Sequence, residues 1–226
     1  MLAQLGDKAS LNPNPWDQIR VDQSMTTIQN APTPAREVVL IRHGETAWSL
    51  SGQHTGSTDI PLTERGEAAA RGLVPLLAAS PFSLVLCSPL QRARRTCELA
   101  GLAAQACLEP DLVEWNYGAY EGLTSTEIER DRPGWLVFRD GCPDGESPAQ
   151  VGERVDRVIG RLRQEGGRVA LFAHGHLLRV FVARWIGLPP SHGAHFLLDT
   201  ATLTILSDYR GLPAVKCWNA PLAPGI

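Results

Sequence analysis

The chain has 226 residues, of which 43% are hydrophobic, and its 21 Lys and Arg against 24 Asp and Glu give a net charge of −3 at pH 7. This composition is typical of a soluble globular protein with enough apolar residues for one sizeable core. It excludes an acidic disordered regulator, and the lack of a Lys/Arg-rich stripe argues against binding to nucleic-acid phosphates. The composition therefore predicts a globular protein without a nucleic-acid partner.

The apolar runs and the cysteines together predict the cellular location of the protein. No apolar run reaches the roughly 18 to 20 residues of a membrane-spanning helix. Residues 1–10 include Asp7 and Lys8 and lack the apolar stretch of a secretory leader. The five cysteines are widely spaced, without a Cys-x-x-Cys pair, so we expect reduced thiols and no structural zinc. We therefore expect a cytoplasmic protein that does not bind membranes.

Two segments differ in pattern. Residues 1–36 contain four prolines and scattered apolar residues without a sustained period, which predicts a flexible N-terminal extension. A single domain is expected over residues 37–226. It begins with a β-branched run at residues 38–41 that is typical of a buried strand.

The elements expected after this strand alternate between helices and strands. In chain order they are a loop over 49–59, a helix from Thr63 to before Pro81, a strand over 83–87, a helix over 89–100, a short strand near Leu108, a loop over 112–122, short helices over 124–130 and 133–138, a long amphipathic helix over 147–165, a strand over 168–173, a helix over 177–187 and edge strands over 196–198, 202–206 and 214–218. This alternation predicts an α/β fold, with a mostly parallel central sheet flanked by helices on both faces.

Polar side chains of one chemical kind follow three of the predicted strands. Arg42 and His43 end the first strand, Arg92 lies one turn beyond the second, and His174 and His176 follow the third. Because ligands of open α/β sheets bind outside the carboxyl ends of the strands, we expect these side chains to meet in space. Guanidinium groups bind tetrahedral oxyanions through paired hydrogen bonds. The sequence therefore predicts an anion pocket.

This pocket has the groups needed for phosphoryl transfer. Neighbouring positive charge disfavours a protonated histidine, which leaves a ring nitrogen free to attack phosphorus. A covalent phosphohistidine divides the transfer into two steps, provided that one group protonates the leaving oxygen and then activates water. Glu114 is the candidate for that group, and it lies in the aromatic loop at residues 112–118.

The segment LIRHGET at residues 40–46 resembles the signature of the histidine phosphatase superfamily, also called phosphoglycerate mutase-like. The match continues through the segments GQHTG at 52–56, DIPLT at 59–63, SPLQRA at 88–93, GES at 145–147 and AHG at 173–175. It covers roughly residues 37–218. This resemblance implies the same α/β fold and a phosphomonoester hydrolase that needs no metal or cofactor.

The resemblance also implies roles for individual residues. It makes His43 the nucleophile that accepts the phosphoryl group and Glu114 the proton donor and acceptor. The phosphoryl oxygens are then held by Arg42, Arg92 and His174. The loop at Thr55 and Gly56 is expected to contact the transferred phosphate or the substrate.

Several positions depart from the family pattern. Ser49 and Gln53 stand where many relatives have Asn and Arg, so the usual phosphate contacts there are in doubt. Phosphoglycerate mutases have Glu-Arg where this chain has Glu114-Trp115, and a basic insertion that this chain lacks before residue 145. We therefore expect hydrolysis rather than mutase activity.

The segment at residues 48–59 is similar to the branch that includes fungal sedoheptulose bisphosphatase, which implies a small sugar phosphate or bisphosphate as substrate. His54, His176 and Arg139 are candidate contacts for the rest of that substrate, and solvated surface residues are the alternative.

Other interpretations stay open. A catalytically weak phosphate- or phosphoprotein-binding module, or a phosphoglycerate mutase, would share these motifs. The His-x-His pair at His174 and His176 would also suit a metal ion, although no carboxylates accompany it. Ser88 is expected to cap the helix that carries Arg92. The strand at 202–206 is expected at an exposed sheet edge, where it is a candidate for pairing in a homodimer.

Overall fold

Six strands form one sheet in the computed structural model, which describes residues 36–221. The strands are β1 (Glu37–Arg42), β2 (Leu84–Cys87), β3 (Ala106–Leu108), β4 (Arg168–Ala173), β5 (Leu203–Tyr209) and β6 (Leu212–Ala220). Their order across the sheet is β3-β2-β4-β1-β5-β6. The first four are mutually parallel, and β5 and β6 are antiparallel. The predicted mostly parallel sheet is confirmed. The predicted N-terminal extension lies outside the described residues, apart from Arg36.

Eight α-helices accompany the sheet within residues 36–221. They are α1 (Ala47–Ser51), α2 (Glu64–Gly72), α3 (Val74–Leu77), α4 (Gln91–Leu99), α5 (Ser125–Asp131), α6 (Val137–Asp140), α7 (Pro148–Leu162) and α8 (Gly175–Trp185). Over the same residues, no helix has both the length and the apolar character needed to cross a bilayer.

The central strands bury both of their faces, which explains their continuous apolar runs. Leu40 and Leu171 belong to a core that they share with apolar residues of α7 and α8. Their neighbours Ile41 and Phe172 belong to a second core that includes residues of α3 and α4. Because successive side chains of a strand point to opposite faces, these two cores lie on opposite sides of the sheet. The predicted helices on both faces are confirmed.

The helix predicted to begin after Thr63 is two helices in the structure. The Thr63 hydroxyl accepts a hydrogen bond from the Gly66 N–H at 3.0 Å and caps α2 as expected. The helix is interrupted at Leu73 because Pro75 has no N–H to donate back to Arg71. A second difference is α1, which occupies the beginning of the predicted loop over 49–59. It is stabilised by a capping box between Thr46 and Ser49.

Two expectations about the last strands are wrong. Residues 196–198 form no strand, because the Leu198 carbonyl accepts a hydrogen bond from Arg42 instead of joining the sheet. The segment 202–206 does not lie at an exposed edge, since β5 pairs with β1 on one side and β6 on the other. The sheet edges are β3 and β6. The residues first chosen for homodimer pairing are therefore already paired within the chain.

We expect Gly66→Ala to destabilise the fold, although alanine normally favours a helix. A methyl group on Gly66 in α2 would lie 2.2 Å from the Glu45 carbonyl oxygen. Overpacking of this kind costs about 1–3 kcal/mol. In α7, Gly160 has no such neighbour within 4 Å, so Gly160→Ala should stabilise the protein by about 1 kcal/mol. Urea unfolding of both variants tests the opposite signs, and a Gly66→Ala variant as stable as the native protein contradicts the expectation.

Candidate active site

The carboxyl ends of β1, β4 and β2 lie side by side. Arg42 pairs in register with Ala173, and Phe172 of the same strand pairs with Cys87. The residues that follow these strands therefore come together from distant parts of the sequence. The imidazole rings of His43 and His174 have their centroids 5.2 Å apart.

His43 is buried and held in one tautomer. Its Nδ1 lies 2.7 Å from the Gly44 carbonyl oxygen, and because a carbonyl only accepts hydrogen bonds, Nδ1 carries the proton. The lone pair of Nε2 is then free. Burial, followed by the charges of Arg42 and Arg92, holds the pKa of His43 well below its ordinary value. The sequence predicted a neutral histidine from the charges alone, and the structure adds burial as the larger cause.

Arg92 is completely buried and uses its guanidinium on the backbone. Its Nη2 donates to the carbonyls of Thr55 and Gly56, each at 2.9 Å, and its Nη1 donates to the Thr58 carbonyl at 3.1 Å. Its Nε donates to Nδ1 of His174 at 3.1 Å. Arg92 therefore fixes both the 55–58 loop and one histidine.

His174 is also neutral. Since its Nδ1 accepts from Arg92, its proton lies on Nε2, which donates to the Ser88 hydroxyl at 2.7 Å. Burial and the charge of Arg92 hold the pKa of His174 well below its ordinary value. Ser88 thus holds His174, whereas the predicted role as helix cap is wrong, because the N-cap of α4 is Leu90 and no side chain caps the helix.

The Arg42 guanidinium faces the start of α8. Its Nη1 donates to the Leu198 carbonyl, and its buried Nε has no hydrogen-bond partner within residues 36–221. A side chain on Gly175 would bring Cβ within 3.3 Å of the guanidinium carbon, so glycine permits this approach. Arg42 also lines the cavity described below, so its charge is available to an anion bound there.

The Glu114 carboxylate is 7% exposed and lies at the N-terminus of α8. Its Oε1 accepts from the backbone N–H groups of Trp115 and Leu177, both at 2.9 Å. Its Oε2 accepts from the His176 N–H at 3.0 Å. Free N–H groups at a helix N-terminus favour negative charge. These three bonds fix where the carboxyl group stands relative to α8.

One cavity of about 230 Å³ contains most of the predicted residues. The predicted residues that line it are Arg42, His43, Ser49, Gln53, His54, Thr55, Glu114 and His176. Arg92, His174 and Gly56 lie behind the wall of this cavity. Arg139 is not among the residues that line this cavity. Its guanidinium instead binds Asp140 and the Gly134 carbonyl.

The residues predicted to contact the substrate also make hydrogen bonds within the protein. Ser49 is the partner of Thr46 in the α1 capping box, and the Gln53 amide donates to the Gly122 carbonyl at 2.8 Å. Gly56 donates its N–H to Glu121 at 2.9 Å, and its carbonyl binds Arg92. A side chain at Gly56 would bring Cβ within 2.6 Å of Glu121 and Trp115, so this glycine shapes the loop.

The far wall of the cavity contains the predicted residues His54 and His176 together with Tyr117 and Arg179, and sequence reasoning missed Arg179. Tyr117 lies with its hydroxyl 2.6 Å from Nδ1 of His176, and burial raises the pKa of Tyr117 well above its ordinary value. His54 stacks on Tyr117 with ring centroids 4.7 Å apart. Arg179 also lines the cavity. Its position three residues after His176 in α8 is the one sequence signal that indicates it.

The two histidines of the His-x-His pair have separate partners. His174 donates to Ser88, and His176 contacts Tyr117. Over residues 36–221, no group of three or more His, Cys, Asp or Glu side chains is arranged to hold a metal ion.

The model of the histidine phosphatase superfamily (branch 1) matches residues 38–221. The chain belongs to this superfamily. It is 41% identical over 179 residues to an acid phosphatase of Mycobacterium tuberculosis, a match that covers 77% of this chain and 88% of that protein. It is 36% identical over 190 residues to sedoheptulose 1,7-bisphosphatase of Saccharomyces cerevisiae, with 70% of each chain covered.

The fold is also similar to a solved structure of a mycobacterial glucosyl-3-phosphoglycerate phosphatase with VO3. The TM-score is 0.74 at 28% identity, and the match covers 82% of this chain and 100% of the other. The family resemblance seen in the sequence is confirmed, and the protein is a phosphatase.

We expect His54 to make the protein less stable as the pH falls. Burial lowers the pKa of His54 to about 4, whereas the unfolded chain takes up this proton below about 6.5. The stability that depends on neutral His54 is therefore complete above pH 6.5 and is lost as the pH falls toward 4. Between pH 7.5 and pH 5 this loss is about 2 kcal/mol.

The measurement compares urea unfolding at pH 7.5 and pH 5 for the native protein, His54→Gln and, as a control, His195→Gln at an exposed position. The loss of stability at pH 5 should shrink only in His54→Gln. An unchanged pH dependence in that variant contradicts the expectation.

Proposed function

We propose that the protein hydrolyses phosphate monoesters of small sugars through a phosphohistidine at Nε2 of His43, without a metal ion. The observation that carries this proposal is the state of His43. Its Nδ1 proton is hydrogen-bonded to the Gly44 carbonyl, which leaves Nε2 unprotonated, and His43 lines the cavity that also contains Arg42 and Glu114. Nucleophile, cation and carboxyl group therefore border the same space.

Two steps complete the reaction. In the first, the Nε2 lone pair of His43 attacks phosphorus, the P–O ester bond breaks, and protonated Glu114 gives its proton to the leaving oxygen. In the second, Glu114 takes a proton from water, whose oxygen attacks phosphorus while the N–P bond breaks. Inorganic phosphate and neutral His43 are regenerated.

Positive charge around the phosphoryl group comes from two layers. Arg42 supplies its charge from the cavity wall. Arg92 and His174 act from behind that wall, where Ser88 and the 55–58 loop fix them. Fixed donors and charges that need no reorganisation during the reaction stabilise the transition state effectively.

The names of the relatives support sugar phosphates as substrates. The yeast relative is a sedoheptulose bisphosphatase, and the mycobacterial neighbour is a glucosyl-3-phosphoglycerate phosphatase. The far wall of the cavity suits the hydroxyl groups of a sugar, because His54, Tyr117 and His176 are uncharged hydrogen-bonding rings. The substrate that fits this wall is small and polar.

Arg179, and not the predicted Arg139, is the arginine that lines the cavity next to His176. It donates to the carbonyls of Gly193 at 3.0 Å and Ala194 at 3.1 Å, and it stands 4.4 Å from the centroid of the Phe138 ring. Burial lowers the pKa of Arg179 to about 10, so it stays charged at neutral pH. Its Nη1 binds no residue in the range 36–221, and we assign it to a second anionic group of the substrate.

The cytoplasmic location, the absence of a nucleic-acid partner and the homodimer stay predictions from the sequence. A homodimer would have to pair through a surface other than β5. The edge strands of the described sheet, β3 and β6, are the candidates.

We expect His43→Ala to abolish hydrolysis, by at least about 10⁴-fold, because the covalent step loses its nucleophile. The assay measures phosphate release, with chelator present, from sugar mono- and bisphosphates, phosphoglycerates and an aryl phosphate. Rapid acid-free quenching of the native enzyme should trap a phosphohistidine that the variant lacks. Phosphate binding without release from any substrate would contradict the proposal and favour the binding module.

We expect Arg179→Met to slow the hydrolysis of bisphosphates selectively. Losing one charged hydrogen bond should lower kcat/KM for a sugar bisphosphate by about 10- to 100-fold, with a smaller effect on the monophosphate. Arg139→Met is the matched control, since this exposed arginine lies outside the cavity. An equal loss for both substrates, or the same loss in the control, contradicts the assignment of Arg179.

A further inference from the structure

One buried arginine holds the backbone around Glu114. Arg154 of α7 is 6% exposed, and its guanidinium makes five hydrogen bonds. Two go to the Glu146 carboxylate, at 2.8 and 3.0 Å. The others go to the carbonyls of Asp111 at 2.9 Å, Val113 at 2.6 Å and Glu114 at 3.1 Å. The guanidinium thus binds the backbone on both sides of the Glu114 Cα.

Glu146 holds the same segment just after Glu114. Its Oε2 accepts from the Asn116 N–H at 2.8 Å, while its backbone N–H donates to the Asn116 carbonyl at 2.8 Å. Its own carbonyl accepts from Nε1 of Trp115 at 2.9 Å. The pair of Arg154 and Glu146 therefore fixes the backbone on both sides of Glu114.

Trp115 and Tyr117 anchor this segment in the core, while its other side borders a cavity. A second cavity of about 410 Å³ opens there, lined by Glu114 together with Asn116, Glu146 and Arg154. On this side, three hydrogen bonds from Arg154 to backbone carbonyls help to hold the segment in place.

We infer that Arg154 and Glu146 are positioning residues for the proton transfer by Glu114. The inference rests on the proposed function, because it assigns them to the step in which Glu114 protonates the leaving oxygen. A planar guanidinium with five donors is required here. Lysine has the charge but offers three donors from one point, so it cannot reach carbonyls and carboxylate together.

The role predicts a dependence on the leaving group. A sugar alkoxide is a poor leaving group and needs the proton from Glu114, whereas an aryl oxide such as p-nitrophenolate leaves without one. A misplaced Glu114 therefore slows hydrolysis of the sugar phosphate and leaves hydrolysis of the aryl phosphate nearly unchanged. A general loss of folded protein would reduce both rates equally.

The experiment measures kcat/KM of the full chain for a sugar phosphate and for p-nitrophenyl phosphate. This constant reports all steps up to departure of the leaving alcohol. We expect Arg154→Lys to lower kcat/KM for the sugar phosphate by about 10- to 100-fold and for the aryl phosphate by less than about threefold. Glu146→Gln tests the same pair from the other side and should show the same selectivity, should Arg154→Lys fail to fold.

Arg157→Lys is the matched control. Arg157 also lies on α7 and binds the Asp111 carboxylate with two bonds, at 2.7 and 2.9 Å, yet it does not contact Glu114. This variant should keep both rates. Equal losses on the two substrates in Arg154→Lys and Glu146→Gln, or the selective loss in Arg157→Lys, would overturn the inference.

Two further variants separate this inference from the proposed function. Activity that survives in His43→Ala refutes the proposed function itself. If His43→Ala is inactive and Glu114→Gln shows the leaving-group dependence, while the variants of Arg154 and Glu146 do not, only the positioning role fails.

Discussion

The arrangement of the whole site depends on one buried cation. Arg92 has no exposed surface, and a buried charge is tolerated only where its hydrogen bonds are satisfied. The fold supplies carbonyl oxygens from the 55–58 loop and the ring nitrogen of His174. The tautomer of His174, its bond to Ser88 and the course of the loop all follow from this requirement. The same positive charge helps to keep His43 neutral.

In this site, the residues that carry positive charge are therefore different from the residue that acts as nucleophile. Around His43, Arg42 and Arg92 carry the positive charge, while His43 and His174 are kept neutral mainly by burial. Backbone groups do much of the positioning, since Glu114 is held by three N–H groups and Arg92 by three carbonyls. Such partners do not depend on side-chain identity, so the loop sequences can vary while the geometry is maintained.

Features encoded locally could be predicted, and features that depend on distant pairing could not. The apolar runs at 38–41 and 168–173 mark buried strands, and the motif at 40–46 identifies the nucleophile and its arginine. The neighbours of β5 could not be predicted, because strand order depends on contacts across the whole chain. For the same reason Arg179 was missed, since in the sequence it resembles any charged residue of an amphipathic helix. Arg139, equally polar, turned out to face its neighbour Asp140.

The strand order also has a consequence for how the protein folds. β4, which ends at Ala173, is inserted between β1 and β2, which both come much earlier in the chain. Neither early strand has its central partner until synthesis has passed β4. Contacts between such distant segments make folding slow, because a long loop must close before they form. The first half of the chain alone therefore leaves β1 and β2 without their shared neighbour, and the centre of the sheet is completed only when β4 joins them.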